Sequence, residues 1–241
     1  MDTLHLTGPK PLMVAHRGLS GIEMENTCSA FVAAGNRSFF GIETDVHVTG
    51  DGQYIIIHDD STRRVALDDL AVESSTFETL RSLHLCDRDG KRGRKDLVLP
   101  TLREYIHICK KYEKTSVLEL KNHMEPQHID GIIAQIREEG WLEHTIFISF
   151  DLPNMICVRE KLPTQKAQYL IGGNPDWQAV LHALEQYSLD LDIQFNLLTE
   201  ERIRDVHAIG KQVNAWTVNH LSDAQQLAAW GIDYITTNII E

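Results

Sequence analysis

Short apolar runs and amphipathic segments alternate along most of this chain. The apolar runs have the length of buried strands, and the segments between them repeat apolar residues at helical spacing. The spacing of the runs from residue 116 onward, about 20 to 30 residues, is that of one βα unit. The pattern predicts eight strands, at residues 11–15, 39–46, 116–121, 145–150, 167–171, 189–195, 212–218 and 234–237. It predicts helices at residues 26–36, 101–112, 127–139, 153–161, 176–186, 199–209 and 222–230.

Eight such units in one chain predict a closed (β/α)8 barrel, the TIM barrel, as a single domain over residues 1–241. The alternation is interrupted once, because Asp51-Gly52 indicates a hairpin turn after the second strand. The segment beyond this hairpin is mostly polar and irregular, apart from a short helix near residues 75–83. We therefore expect a small insertion at about residues 47–100. A doubly wound open sheet is the alternative, but no Gly-x-Gly-x-x-Gly follows the first strand.

Composition limits the kinds of molecule that this protein is expected to bind and the compartment in which it is expected to lie. The formal net charge of −12 disfavours a broad surface for nucleic acid or anionic membranes. No apolar run approaches the length of about 20 residues that a transmembrane helix needs, so we expect no stable membrane insertion. The first residues lack the pattern of a signal peptide, and the four cysteines form no C-x-x-C pair. We therefore expect reduced thiols and a cytoplasmic protein. The sequence does not indicate an oligomeric state.

Two apolar runs end in a histidine. The first predicted strand runs into His16-Arg17-Gly18, and Ile55-Ile56-Ile57, after the hairpin turn, runs into His58-Asp59. Ligands bind at the carboxyl ends of parallel strands, so His16 is expected at the barrel mouth, and His58 is expected near the same mouth. A proton-transfer group beside a guanidinium suits the chemistry of a phosphate. Each histidine alone is also compatible with a structural role in the core.

Charged side chains share a face on two strands that otherwise indicate burial. Glu43 and Asp45 lie two residues apart on the second strand, and Glu119 and Lys121 repeat this spacing on the third. Carboxylates crowded onto one interior face repel one another unless a cation lies between them. Buried charges are costly unless they are paired or bound to a metal. The pairs therefore favour a functional cluster, while an outward, solvated orientation is the alternative.

Short motifs follow one another over nearly the whole chain: His16-Arg17-Gly18, Glu25-Asn26-Thr27 with Ala30-Phe31, Glu43-x-Asp45, His58-Asp59, Glu119-x-Lys121 and Ala215-Trp216-Thr217-Val218-Asn219. Together they resemble the motifs of the glycerophosphodiester phosphodiesterases. The resemblance implies a (β/α)8 barrel with a subdomain inserted after the second strand. It also implies hydrolysis of a glycerophosphodiester to glycerol 3-phosphate and an alcohol.

The same resemblance implies a role for each site residue. It makes His16 and His58 the catalytic pair, and Glu43, Asp45 and Glu119 the metal ligands. It assigns substrate binding to Arg17, Lys121 and Trp216, and a supporting role to Glu25.

Carboxylate ligands favour a hard divalent cation, so the expected cofactor is Mg²⁺, Ca²⁺ or Mn²⁺. The cation and the basic side chains would withdraw charge from the phosphate, and one histidine would protonate the leaving alcohol. The other histidine would deprotonate the nucleophile, which is either the glycerol 2-hydroxyl or water. The sequence leaves open which histidine is the acid, which alcohol is preferred and which metal binds.

Two departures from the family pattern and two rival functions accompany this interpretation. Met24 replaces a proline that is usual in the family, which should cost only loop rigidity. Asn238 stands where many members have aspartate, so the family's contact at that point is not carried over. The basic run 88–95 is expected to be a solvated loop, with substrate contact as the alternative. The rivals are a phospholipase acting on (lyso)phospholipids, which needs an exposed apolar rim, and an inactive barrel that serves as a binding module.

Overall fold

The structure is a computed structural model that describes residues 2–8 and 10–241. Its strands are β1 (Leu12–Ala15), β2 (Gly41–Val48), β3 (Tyr54–Ile56), β4 (Thr115–Leu120), β5 (Thr145–Ser149), β6 (Ala167–Ile171), β7 (Asp190–Gln194), β8 (Val213–Trp216) and β9 (Tyr234–Thr237). Its α-helices are α1 (Cys28–Gly35), α2 (Phe77–Arg81), α3 (Leu102–Lys111), α4 (Pro126–Glu138), α5 (Leu152–Lys161), α6 (Trp177–Tyr187), α7 (Glu200–Ala208) and α8 (Leu221–Ala229). Within the described ranges, no helix combines the length and apolar character needed to cross a membrane.

Strand pairing closes the sheet into a ring. Strand β1 pairs in parallel with both β2 and β9, and the ring runs β1, β2, β4, β5, β6, β7, β8, β9. Strand β3 lies outside it, antiparallel to β2. The predicted TIM barrel and its insertion after the second strand are both confirmed.

Two apolar layers lie on the two faces of the barrel wall. The outer layer packs the wall against the helices, where the rings of Phe31 and Tyr105 meet edge to face at 5.1 Å. The Tyr105 hydroxyl donates to the carbonyl of Ile42 on β2 at 2.6 Å. The inner layer fills the barrel below its mouth with Val14, Val117, Ile146, Ile148, Leu170 and Tyr234.

The insertion has an apolar core of its own. Ile55, Ile57, Leu80 and Leu97 are buried there, although the sequence indicated a mostly irregular segment. Met24, which precedes α1, packs into the same cluster. Its side chain therefore joins the loop after β1 to the insertion, a contact that the sequence did not predict.

The basic run 88–95 is largely neutralised by neighbouring acids. The Arg94 guanidinium pairs with Glu23 at 2.6 Å and with Asp96 at 2.7 Å, and Arg92 pairs with Asp68 at 2.6 Å. Arg88 donates to the carbonyl of Gly21. The run therefore braces the insertion against residues 21–23.

A tight turn after β1 brings the chain back over the barrel mouth. Gly18 has φ +76°, and a Cβ there would lie 2.7 Å from the carbonyl carbon of Ala30. Arg17 has φ +53°, in the left-handed region that few non-glycine residues adopt. In this conformation its backbone N–H donates to Oε2 of Glu43 at 2.7 Å. The turn thus ties the end of β1 to β2 at the mouth.

Replacing Gly18 with alanine should destabilise the fold strongly, because the added methyl meets backbone atoms as well as a strained φ. We expect a loss of about 3 kcal/mol or more in the free energy of unfolding, measured with urea. Gly210→Ala is the matched control, since Gly210 also has positive φ but an added Cβ there would meet nothing within 4 Å. That variant should lose only about 1 kcal/mol. Equal losses would show that the close approach to Ala30 is unimportant.

Candidate active site

Three carboxylates meet at the carboxyl-terminal end of the barrel. Glu43 and Asp45 project from β2, and Glu119 projects from β4, where it is the register partner of Asp45. All three side chains are buried, and one oxygen from each lies within 4.8 Å of the others. Hard divalent cations are bound by such sets of carboxylate oxygens. The predicted ligands therefore form a cluster of the right chemistry and size for a metal ion.

The three carboxyl groups differ in their affinity for protons. Burial and the charge of Asp45 raise the pKa of Glu43 well above its ordinary value. Burial and Asp45 likewise raise the pKa of Glu119 to about 8. Burial would also raise the pKa of Asp45, but Arg17 and Lys121 hold it below its ordinary value. Oδ1 of Asp45 is buried without a hydrogen-bond partner among the described residues. A cation could displace the protons and satisfy this atom.

Two basic side chains, those of Arg17 and Lys121, flank the cluster. Arg17 Nη1 contacts Glu25 Oε1 at 2.8 Å, and its Nε lies 3.6 Å from Asp45 Oδ2. Lys121 Nζ lies 2.8 Å from Glu119 Oε1 and 3.7 Å from Asp45 Oδ1. The side chains of both are mostly buried, so their charges are weakly screened by solvent. They place positive charge where an oxyanion would approach the carboxylates.

His16 is held by the residue that directly follows the last strand of the barrel. Its Nδ1–H donates to Oδ1 of Asn238 at 2.7 Å, and Ser20 donates to the same oxygen at 2.9 Å. This contact leaves Nε2 as the nitrogen that can accept a proton. Burial and the charge of Arg17 lower the pKa of His16 to about 4. His16 is therefore neutral at pH 7. Asn238 thus makes a contact with His16 that the sequence did not predict.

His58 is held by a network that reaches into the insertion. Its Nδ1–H donates to Asp59 Oδ1 at 2.6 Å. Arg64 contacts both oxygens of Asp59, at 2.6 and 3.0 Å, and both oxygens of Glu25, each at 2.8 Å. The hydrogen bond from Arg64 keeps the pKa of Asp59 well below its ordinary value. Burial lowers the pKa of His58. One guanidinium thus joins the partner of His58 to the partner of Arg17.

Both histidines open onto one cavity of about 50 Å³, together with Arg17, Glu43 and Glu119. A volume of about 10–15 Å³ is enough for one water molecule, so this cavity can hold a small ligand group. Phe150 and Trp216 meet edge to face on its rim at 5.6 Å. The basic run 88–95 does not line it. The lining residues are His16, Arg17, Glu43, His58, Glu119, Ile148, Phe150, Leu170, Asp192, Trp216 and Thr236.

Asp192 is a lining residue that the sequence analysis did not single out. It lies on β7 with 2% of its surface exposed, and burial and Glu119 raise its pKa well above the ordinary value. Asp190 and Asp192 are spaced two apart on a predicted strand, like Glu43 and Asp45. This spacing is the signal that could have identified it.

The model of the Glycerophosphoryl diester phosphodiesterase family matches residues 16–241 of this chain. The match starts at His16 and spans every residue of the cavity. The chain belongs to this phosphodiesterase family. The prediction made from the sequence motifs is thereby confirmed.

Three similar proteins align with this chain along nearly their whole length. A glycerophosphodiester phosphodiesterase of Caldanaerobacter subterraneus is 29% identical over 233 residues, 95% of this chain and 94% of the relative. A putative glycerophosphodiester phosphodiesterase of Bacillus subtilis is 29% identical, over 94% and 93% of the two chains. A solved phosphodiesterase of Oleispira antarctica, in complex with the product sn-glycerol-3-phosphate, superposes with a TM-score of 0.83. It is 26% identical, and the alignment covers 95% of this chain and 93% of that one.

The barrel brings together all the residues that the sequence analysis selected. His16, Arg17, Glu43, His58, Glu119 and Trp216 line the cavity, and Asp45, Lys121 and Glu25 contact these residues or lie beside them. Several residues that line the site or contact its members were missed or left without a role, among them Arg64, Phe150, Asp192 and Asn238.

Arg64 should matter to catalysis through the residues that it positions. We expect Arg64→Gln to lower kcat about tenfold or more while the protein remains folded, because Asp59 and Glu25 lose their shared partner. Arg64→Lys should restore only part of the rate, since an ammonium cannot hold both carboxylates in the same plane.

The neighbouring Arg63→Gln is the matched control, because Arg63 is exposed and pairs only with Asp69 among the residues that the structure describes. Its kcat should equal that of the unmodified enzyme. Similar rates for the Arg63 and Arg64 variants would show that the network does not position the site.

Proposed function

We propose that this protein hydrolyses glycerophosphodiesters to glycerol 3-phosphate and an alcohol, with a divalent metal ion and His16 and His58 as the proton-transfer pair. The observation that carries the proposal is the cavity itself. Both imidazoles, a guanidinium and members of the carboxylate cluster face the same small space. Membership of the phosphodiesterase family and the product held by the Oleispira relative support this choice of substrate.

Glu43, Asp45 and Glu119 would hold the metal ion, which we propose to be Mg²⁺, Ca²⁺ or Mn²⁺. A bound cation supplies Lewis acidity, which withdraws charge from a phosphate oxygen. Arg17 assists from the protein side, because its Nε is buried and has no hydrogen-bond partner among the described residues. Lys121 Nζ lies between two of the proposed ligands and adds a second positive charge. Together these groups would reduce the repulsion between the diester and its nucleophile.

The contacts of the two histidines support different roles for them. His16 is neutral and its Nδ1–H is committed to a neutral amide, so Nε2 is suited to accept a proton from the nucleophile. His58 donates to a carboxylate, and this contact opposes the lowering of its pKa by burial. His58 is therefore better suited than His16 to carry the proton that a general acid requires. In this proposal His16 takes the proton of the nucleophile, which is either water or the glycerol 2-hydroxyl. The bond from phosphorus to the alcohol breaks, and His58 protonates the departing oxygen. Attack by water gives glycerol 3-phosphate directly, whereas attack by the 2-hydroxyl gives a cyclic phosphate that a water molecule then opens.

A hydrolase of (lyso)phospholipids is the second candidate, and one observation favours it. An apolar groove of about 450 Å³ continues from the cavity through Phe150 and Leu170. Leu152, Tyr169 and Val180 also line this groove, and its volume is sufficient for part of an acyl chain. The sequence had indicated no such surface.

A small-molecule substrate and a cytoplasmic location remain parts of the main proposal. The four free cysteines support the cytoplasmic location.

The purified protein should release glycerol 3-phosphate from glycerophosphocholine or glycerophosphoethanolamine. EDTA should abolish the release, and Mg²⁺, Ca²⁺ or Mn²⁺ should restore it, because the carboxylate cluster then regains its cation. His16→Ala and His58→Ala should each lower kcat at least about a hundredfold without unfolding the protein.

Release from lysophospholipid alone would favour the second candidate. Near-normal turnover in both histidine variants would contradict the mechanism, and no release from any diester would indicate an inactive barrel.

The fall of kcat/KM at low pH, the acidic limb of the pH profile, should report the protonation of His16. A base with a pKa of about 4 stays unprotonated above that pH, so kcat/KM should fall only as the pH drops toward 4. Asn238→Asp places a carboxylate beside the imidazole and should move this limb to higher pH by about one unit or more. The metal must be saturating at every pH. An acidic limb at the same pH in both proteins would argue against His16 as the base.

A further inference from the structure

Some buried polar atoms around the cavity have no hydrogen-bond partner. Such atoms are rare in folded proteins, because leaving a buried donor or acceptor unpaired costs stability. The proposed metal and phosphate contacts account for Asp45 Oδ1 and Arg17 Nε. Ser116 Oγ does not line the cavity. Over the described residues, the complete set is Arg17 Nε, Asp45 Oδ1, Ser116 Oγ, Asp192 Oδ1 and Trp216 Nε1.

Asp192 Oδ1 and Trp216 Nε1 therefore remain to be explained. Their residues lie on adjacent strands, β7 and β8, and both line the cavity that holds the two histidines. Ile148 and Leu170 line the same space, so neither atom gains a polar partner from these neighbours. Asp192 is also not one of the three carboxylates of the proposed metal cluster. The lining of the cavity thus includes one residue with an unpaired oxygen and one residue with an unpaired N–H.

An oxygen and an N–H together specify the chemistry of their partner. The indole N–H can only donate, so its partner must offer an acceptor. The Asp192 oxygen accepts a hydrogen bond from any hydroxyl. A quaternary ammonium group offers no acceptor and would leave Trp216 unpaired. A hydroxyl both donates and accepts, and a pair of neighbouring hydroxyls satisfies both protein atoms.

We propose that Asp192 and the indole N–H of Trp216 bind the hydroxyl groups of the polyol part of the substrate, so that Asp192 determines specificity for glycerol. The inference rests on the proposed function, in which the substrate carries glycerol on its phosphate. The size of the cavity agrees with it, because about 50 Å³ holds a group of a few heavy atoms. Its position agrees as well, since the same cavity exposes His16 and His58 to the adjoining phosphate.

The test compares two phosphodiesters that differ only in the hydroxyl groups. Glycerophosphocholine carries both hydroxyls, and propyl phosphocholine carries a propyl group in place of the glycerol. Propyl phosphocholine lacks the 2-hydroxyl, which is one of the two nucleophiles considered above, so its affinity is measured by competitive inhibition and not by turnover. The KM of the unmodified enzyme for glycerophosphocholine should be lower than this inhibition constant. Asp192→Leu should lower kcat/KM for glycerophosphocholine about tenfold or more and leave the inhibition constant of propyl phosphocholine within about twofold. Trp216→Phe, which keeps an aromatic ring but removes the N–H, should act in the same direction.

Gln168→Leu is the matched control for a merely structural role. Gln168 is buried on β6 and accepts a hydrogen bond from Asn214, but it does not line the cavity. Its variant should retain the preference for glycerophosphocholine. If Asp192→Leu weakened the enzyme's use of glycerophosphocholine and its binding of propyl phosphocholine equally, or changed neither, the inference would be overturned while the proposed function stood.

Calorimetric titration provides a second measurement that needs no turnover. The unmodified protein should bind sn-glycerol 3-phosphate more tightly than inorganic phosphate, and Asp192→Leu should remove that difference. Equal affinities for the two ligands in the unmodified protein would overturn the inference. A protein that shows the Asp192-dependent difference but hydrolyses neither diester would support the hydroxyl site and contradict the proposed function.

Discussion

Mutual repulsion among Glu43, Asp45 and Glu119 is the constraint on which the rest of the site depends. Three buried acids cannot all be ionised at this separation unless positive charge lies among them. The chain meets part of this requirement with Arg17, which adopts a left-handed conformation at the end of β1, and with Lys121 beyond β4. The three carboxylates still lack enough positive charge to be ionised together, and this favours the binding of a metal ion by the cluster.

The insertion is part of this site as well as an addition to the barrel. Its Arg64 holds the carboxylates beside His58 and Arg17, and its apolar core takes in Met24 from the loop after β1. One contact is electrostatic and the other is apolar, so they respond differently to salt and to temperature. Both limit the freedom of the barrel mouth on the side where the two histidines lie.

Periodicity predicted the strands and the fold well, because apolar runs recur along the chain at the spacing of βα units. Several of these runs also contain or end in charged residues, which is unusual for buried strands. Glu43, Asp45 and Glu119 were recognisable because charges two apart on a buried strand have a clear energetic consequence. Asp192 carried the same signal, but its strand was weaker and its partner Asp190 does not line the cavity. Arg64 and Asn238 could not be assigned by periodicity, since their contacts depend on how an irregular segment and the end of the last strand approach the mouth.

The contact between His16 and Asn238 joins two ends of strands that are separated by nearly the whole chain. It can form only after β1 has docked against β9 and the ring has closed. Contacts of such long sequence separation are among the slowest to form during folding, because the entropy of closing the loop must be overcome first. A partly folded barrel would hold His58 beside Asp59 yet leave His16 unanchored. Anchoring of the His16 ring during refolding is thus tied to completion of the barrel, rather than to the formation of its secondary structure.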